Sequence, residues 1–123
     1  MWMRFVVLAC GLLLAAASVA QSSGDWVLAR WRGGDYWFPG VIADRSADSV
    51  TVVYDDGTRE TLPLHLIRPY DWRVGSQVQC RWKNGTEWYA GRITAIKNDG
   101  VTLHIEYDDG DREKTKTAAC RSR

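Results

Sequence analysis

The sequence predicts an all-β protein built as two tandem five-stranded barrels, and three observations predict it. First, the chain is duplicated: Tyr54-Asp55-Asp56-Gly57 returns as Tyr107-Asp108-Asp109-Gly110, and each copy is followed by an Arg-Glu pair, Arg59-Glu60 and Arg112-Glu113. Second, apolar residues alternate with polar ones over short stretches, the period of a half-buried strand, and no stretch of useful length carries helical periodicity. Third, clusters of Gly, Pro, Asp and Asn break the chain between those stretches, as the turns of a meander do. Two copies of a 50-residue period cannot close a propeller, which leaves two small barrels.

In order, Val27 to Trp31 reads as the first strand, with Trp31 at its end, stopped by Gly33-Gly34-Asp35. Tyr36 to Gly40 leads into a second strand, Val41 to Arg45, with Pro39 placed at a strand start or edge because it cannot donate to a ladder. Val50 to Asp55 forms the third strand, in which Val50, Val52 and Tyr54 share a face. Asp56-Gly57 is the signal of a two-residue type I′ hairpin. Thr58 to Leu62 follows as the fourth strand, Pro63 breaks it, and Ile67-Arg68 makes a short fifth. The order then repeats at an offset of 51: Val78 to Trp82, Trp88 to Gly91 and Arg92-Ile93. After a turn two residues longer, Val101 to Tyr107 and Thr115 to Arg121 complete the second copy. The organisation expected is a leader over residues 1–20, a first barrel over 25–69, a connector over 70–77 and a second barrel over 78–123. The connector aromatics Tyr70 and Trp72 are expected to pack between the barrels.

The first stretch reads as an export signal. Arg4 supplies the basic start, Phe5 to Ala17 the apolar run and Ser18-Val19-Ala20 the small residues before cleavage after Ala20. The run is shorter than the ~20 apolar residues a membrane span needs. A secreted or periplasmic protein with no membrane attachment is therefore expected. The chain holds 16 basic and 15 acidic residues, and loss of the leader balances them, so no global field draws it to nucleic acid or an anionic membrane. The basic tail of Lys114, Lys116, Arg121 and Arg123, beside Glu113, reads as a solvated end rather than a nucleic-acid patch. Export leaves Cys80 and Cys120 where disulfides persist, and a bond between them is expected. Closing a loop of about 40 residues stabilises a small domain by roughly 4 kcal/mol in the chain-entropy model.

The candidate site lies where strand ends converge. Trp31, Phe38, Tyr54 and Asp56 in the first copy, and Trp82, Tyr89, Tyr107 and Asp109 in the second, place three aromatic rings and a carboxylate at one end of each barrel. Ring faces attract a methylated ammonium group by roughly 0.5–2 kcal/mol each, and a carboxylate accepts a hydrogen bond from a lower methylation state. The same residues also serve as core filler and hairpin turn, and duplication copies residues that only fold. Catalysis finds no support: His65 and His104 lie in different contexts and no nucleophile motif is present. Cys and His lack metal-ligand spacing, so neither a metal nor a cofactor is expected.

Trp31, Phe38-Pro39-Gly40 and Tyr54-Asp55-Asp56-Gly57, with Trp82, Trp88-Tyr89-Ala90-Gly91 and Tyr107-Asp108-Asp109-Gly110, resemble tandem Tudor domains, with Agenet modules a near neighbour. The resemblance spans Val27 to Arg121. It implies SH3-like five-stranded barrels of Tudor type that bind methylated lysine or arginine of a partner protein in an aromatic cage. By position that cage is Trp31, Phe38, Tyr54 and Asp56, and again Trp82, Tyr89, Tyr107 and Asp109; just after each turn, Thr58 and Asp111 stand where many members carry another aromatic. Two readings remain: a binding module for a protein or peptide bearing a methylated or cationic side chain, and an extracytoplasmic interaction scaffold whose cages are filled in.

Overall fold

The computed structural model describes residues 22–123; the leader, its cleavage point and Cys10 fall outside them. Ten strands form two five-stranded antiparallel sheets. The first is built from β1 (Trp26–Arg30), β2 (Trp37–Arg45), β3 (Ser49–Tyr54), β4 (Arg59–Pro63) and β5 (Ile67–Pro69). The second repeats it as β6 (Gln77–Arg81), β7 (Trp88–Ile96), β8 (Thr102–Tyr107), β9 (Arg112–Lys116) and β10 (Cys120–Arg121). The orders are β4-β3-β2-β1-β5 and β10-β6-β7-β8-β9, so in each sheet the last strand returns to the first. The long second strand of each copy carries a bulge, between Ile42 and Asp44 and between Ile93 and Ala95, which bends the sheet over its own core.

Strand alternation sets that core. Val50, Val52 and Tyr54 point inward from β3, as do Leu103, Ile105 and Tyr107 from β8. Val27, Ala29, Ile42, Leu62 and Ile67 complete the first cluster; Val78, Cys80, Ile93 and Cys120 line the second. At the Tyr54 and Tyr107 crossings the facing strand carries Gly40 and Gly91. A Cβ there would lie 2.7 Å from the carbonyl oxygen of Val53 or of Glu106, so only glycine lets the strands approach. The last strand is closed differently in the two copies: Ala29 faces Ile67 in the first, whereas Cys80 faces Cys120 in the second, and these two are bonded with Sγ–Sγ 2.07 Å.

The two sheets are not separate. Trp37 and Ser122 exchange backbone hydrogen bonds of 2.7 and 3.0 Å, joining β2 to the end of β10. Leu28 faces away from its own core and enters the second cluster with Trp72, which is 6% exposed and donates its indole N–H to Ser122 Oγ at 3.2 Å. Tyr70 stands against both Trp26 and Trp72; burial, with Asp55 and Asp71 nearby, pushes its phenol up to about 12. The Thr117 hydroxyl donates to Asp55 Oδ2 across the same junction, at 2.5 Å.

Four local expectations change. Trp31 does not end the first strand: it opens a single 3-10 turn, Trp31–Gly33, in which Arg32 takes a φ of 54°, and the second copy repeats this at Trp82–Asn84 with Lys83 at 52°. The second strand starts at Trp37, not Val41, so Pro39 lies within it. Pro39 O accepts from Asp55 N, and since a strand residue's N and O point to one side, its missing donor falls where β3 has already turned away. The hairpin after Tyr54 is not type I′, because Gly57 (φ 94°) takes a positive φ and Asp56 does not. It is a longer turn in which Gly57 N donates to Tyr54 O and Tyr54 N to Thr58 O, the form that ends in a left-handed glycine and a bulge. Finally, packing between the units goes beyond the connector's Tyr70 and Trp72, because Leu28 of the first sheet enters the second core.

Candidate functional site

The repeated turn fixes the acid of each candidate site. Asp56 Oδ1 accepts from both Thr58 N (3.0 Å) and Thr58 Oγ1 (2.8 Å), while Asp109 Oδ1 accepts from Asp111 N at 2.9 Å. One carboxylate oxygen of each is thus committed to the turn, and Oδ2 has no protein partner among the described residues.

The Arg-Glu pair does what the sequence left unassigned. Glu60 accepts from Tyr54 Oη at 2.6 Å and from Arg32 N at 3.0 Å; Glu113 accepts from Tyr107 Oη at 2.5 Å and from Lys83 N at 3.1 Å. One carboxylate therefore holds both the tyrosine and the left-handed turn that carries Trp31 or Trp82. Burial first, and then this hydrogen bond, raises the phenols of Tyr54 and Tyr107 well above their ordinary range, so each tyrosine stays a neutral donor. The repetition of Arg59-Glu60 as Arg112-Glu113 was the signal; Glu60 stands opposite Val52 and Glu113 opposite Ile105, so each reaches its tyrosine diagonally along the hairpin.

The predicted residues gather unequally. In the second copy Trp82, Tyr89 and Tyr107 meet edge to face, with centroids 5.7 Å (Trp82–Tyr107) and 6.5 Å (Tyr89–Tyr107) apart. They line an open cleft of about 330 Å³ with Asp108, Asp109 and Asp111. Tyr89 is 47% exposed at its rim. In the first copy Phe38 meets Tyr54 at 6.5 Å, but among the described residues Trp31 makes no ring contact with Tyr54. Trp31 stands 42% exposed across a cleft of about 370 Å³ that it shares with Phe38, Tyr54 and Asp56. Each tryptophan is already touched by a cation of its own turn, Arg32 at 4.7 Å from the Trp31 ring and Lys83 at 5.3 Å from that of Trp82.

Sequence reasoning missed the part of the first cleft that the second copy supplies. Trp88 packs edge-on to Phe38 at 6.0 Å, and Arg121 lies 3.6 Å from the Tyr36 centroid and 4.1 Å from that of Trp88. Tyr36, Asp35 and Asp55 also line it. Burial raises the Asp55 carboxyl, the Thr117 hydroxyl pulls it back, and Asp56 raises it again. The available signal was parity: Trp88 pairs with Arg81 on the outward face of β7, where its own unit offers its ring Arg81 and Arg121 and no apolar cover. No ion pair among the described residues engages the aspartates of either cleft, and none of their His, Cys, Asp and Glu residues group as a metal site. Aromatic walls with free carboxylate oxygens attract a cation and exclude its water on the apolar side.

No family model matches the chain, and no curated protein does. Among solved structures it is similar to a crystal structure of ADCP1 tandem Agenet domains 3–4, at 20% identity over 89% of this chain and 84% of that one, TM-score 0.41. It is likewise similar to Arabidopsis thaliana AGDP1 AGD34, at 20% identity over 89% and 86%, TM-score 0.42. What each cleft can hold follows from this chain's own side chains.

Proposed function

We propose that this protein is a non-enzymatic binding module that takes methylated or otherwise cationic side chains of a partner protein into its two aromatic-lined clefts. The observation that carries the reading is the second cleft: Tyr107 in edge-to-face contact with both Trp82 and Tyr89, open to solvent, with three aspartates free of ion pairs at its rim. A purely structural aromatic cluster would bury its rings; Tyr89 instead leaves nearly half its surface open. Rings of this kind attract a cation by roughly 0.5–2 kcal/mol apiece, and a free Asp109 oxygen suits a mono- or dimethylated ion that keeps an N–H. The leader-like first stretch and the Cys80–Cys120 bond support work outside the cytoplasm. Titration with peptides carrying trimethyl-lysine, dimethyl-arginine or the unmodified residue, followed by tryptophan fluorescence, tests this. Methylated peptides are expected to saturate the signal, and Trp82→Ala to abolish the response of the second cleft. A response unchanged by both Trp31→Ala and Trp82→Ala would leave the scaffold reading instead.

A further inference from the structure

Arg121 occupies a place in the first cleft that has no counterpart in the second. Its guanidinium lies between Tyr36 of the first unit and Trp88 of the second, at 3.6 and 4.1 Å from the ring centroids. Its Nε donates to Gln79 Oε1 at 2.9 Å, which fixes the plane of the group. The two terminal nitrogens have no protein acceptor among the described residues, and no carboxylate neutralises the charge. The equivalent Arg68 in the first unit stacks on Trp37, beside Arg30, and lines neither cleft. Arg121 instead lines the cleft next to Trp88, the ring that abuts Phe38.

A fixed cation with unpaired terminal nitrogens beside an aromatic cation site offers a donor fork to a ligand that carries a negative charge next to its cation. We propose that the first cleft takes a zwitterionic ligand, its methylated ammonium against Trp31, Phe38 and Tyr54 and its carboxylate on the terminal nitrogens of Arg121. This rests on the reading that the aromatic walls accept a methylated cation. A carboxylate is favoured over a phosphate because Asp35, Asp55 and Asp56 line the same cleft and repel a doubly charged anion, whereas a planar carboxylate matches the guanidinium fork with two parallel bonds. The carboxylate can come from a free methylated amino acid or from an acidic residue beside a methylated lysine in a peptide. The second cleft, rimmed by Asp108, Asp109 and Asp111 with no arginine, takes the cation alone.

The test is an NMR titration of the full chain with its disulfide intact, following the indole N–H signals of Trp31 and Trp88 for the first cleft and of Trp82 for the second. One pair of probes is Nα-acetyl-Nε-trimethyl-lysine and its carboxamide, which differ only in the carboxylate. A second pair is a peptide with trimethyl-lysine followed by glutamate and the same peptide with glutamine. At the first cleft the acid is expected to bind about tenfold more tightly than the amide, the worth of one charge-assisted pair; at the second cleft the order reverses. Arg121→Gln is expected to erase the preference while leaving amide binding, and Arg121→Lys to keep a reduced one, with unchanged dispersion of the other indole signals showing that both fold. A preference in the peptide pair assigns the ligand to an acidic peptide; a preference confined to the free amino acid assigns it to a small molecule. Equal binding of acid and amide at the first cleft, or a preference that survives Arg121→Gln, overturns the proposal and leaves the cation reading standing. Absence of any binding by all four probes overturns both.

Discussion

The two halves of this molecule share one template and differ in what surrounds it. Each has a Tyr-Asp-Asp-Gly turn, a glutamate that ties the tyrosine to a left-handed turn, and a glycine under the tyrosine crossing. The second half closes its sheet with a disulfide and leaves its cleft at the end of the array, open and acidic. The first closes with Ala29 against Ile67, and its cleft is walled on one side by Trp88 and Arg121 of its neighbour. Duplication therefore repeats the mechanics of the site, while the junction gives each copy its own chemistry.

The largest expected effect breaks the comparison at the sheet closure. Replacing both Cys80 and Cys120 by alanine removes a cross-link over 40 residues and should lower stability by about 4 kcal/mol in urea unfolding. Since the residue just after β10, Ser122, bridges to Trp37, the loss should reach the first cleft. Next, Glu60→Ala and Glu113→Ala should each cost about 2 kcal/mol, by stranding a buried phenol and a turn amide; equal costs would show that the template is shared. A smaller difference separates the tryptophans. Trp82→Ala should cost about 1 kcal/mol more than Trp31→Ala, because only Trp82 packs on its tyrosine.

The smallest effect concerns acid. Asp99, in the turn between β7 and β8, accepts from Val101 N, Thr102 N and Thr102 Oγ1, and these bonds, the Thr102 hydroxyl first, hold its carboxyl down to about 2. A carboxyl depressed in the folded state contributes stability above its ordinary value, and that contribution is lost as pH falls through the folded one. Acidification from pH 4 to 2 should therefore loosen this turn, seen as faster amide exchange at Val101 and Thr102. The matching turn of the first half, where the Ser46 and Ser49 hydroxyls meet at 2.8 Å and Asp48 accepts only one long bond, from Ser46 Oγ at 3.5 Å, should respond less.

The all-β class, the five strands of each copy and the inward or rim positions of Phe38, Tyr54, Tyr89 and Tyr107 were legible because they follow from local rules: parity places Tyr54 and Tyr107 inward, and Gly57 and Gly110 turn the chain where positive φ is needed. The placement of Trp31 was misread by one residue, since a left-handed Arg32 carries no sequence mark that distinguishes it from a strand end. Trp88 and Arg121 were invisible as cleft residues for a different reason. Which outward face of one unit meets the other depends on the Trp37–Ser122 bridge and on Leu28 entering the second core, and those are pairings between residues far apart in the chain that no local pattern encodes.

The central claim, that these clefts hold cations, is tested most directly by titrating the full chain with tetramethylammonium while the indole N–H of Trp82 is followed by NMR. The account predicts a saturable shift at Trp82 that Tyr107→Leu and Trp82→Phe weaken and that an equal concentration of sodium does not reproduce. A shift no larger than that of sodium, with the second cleft intact, would contradict it.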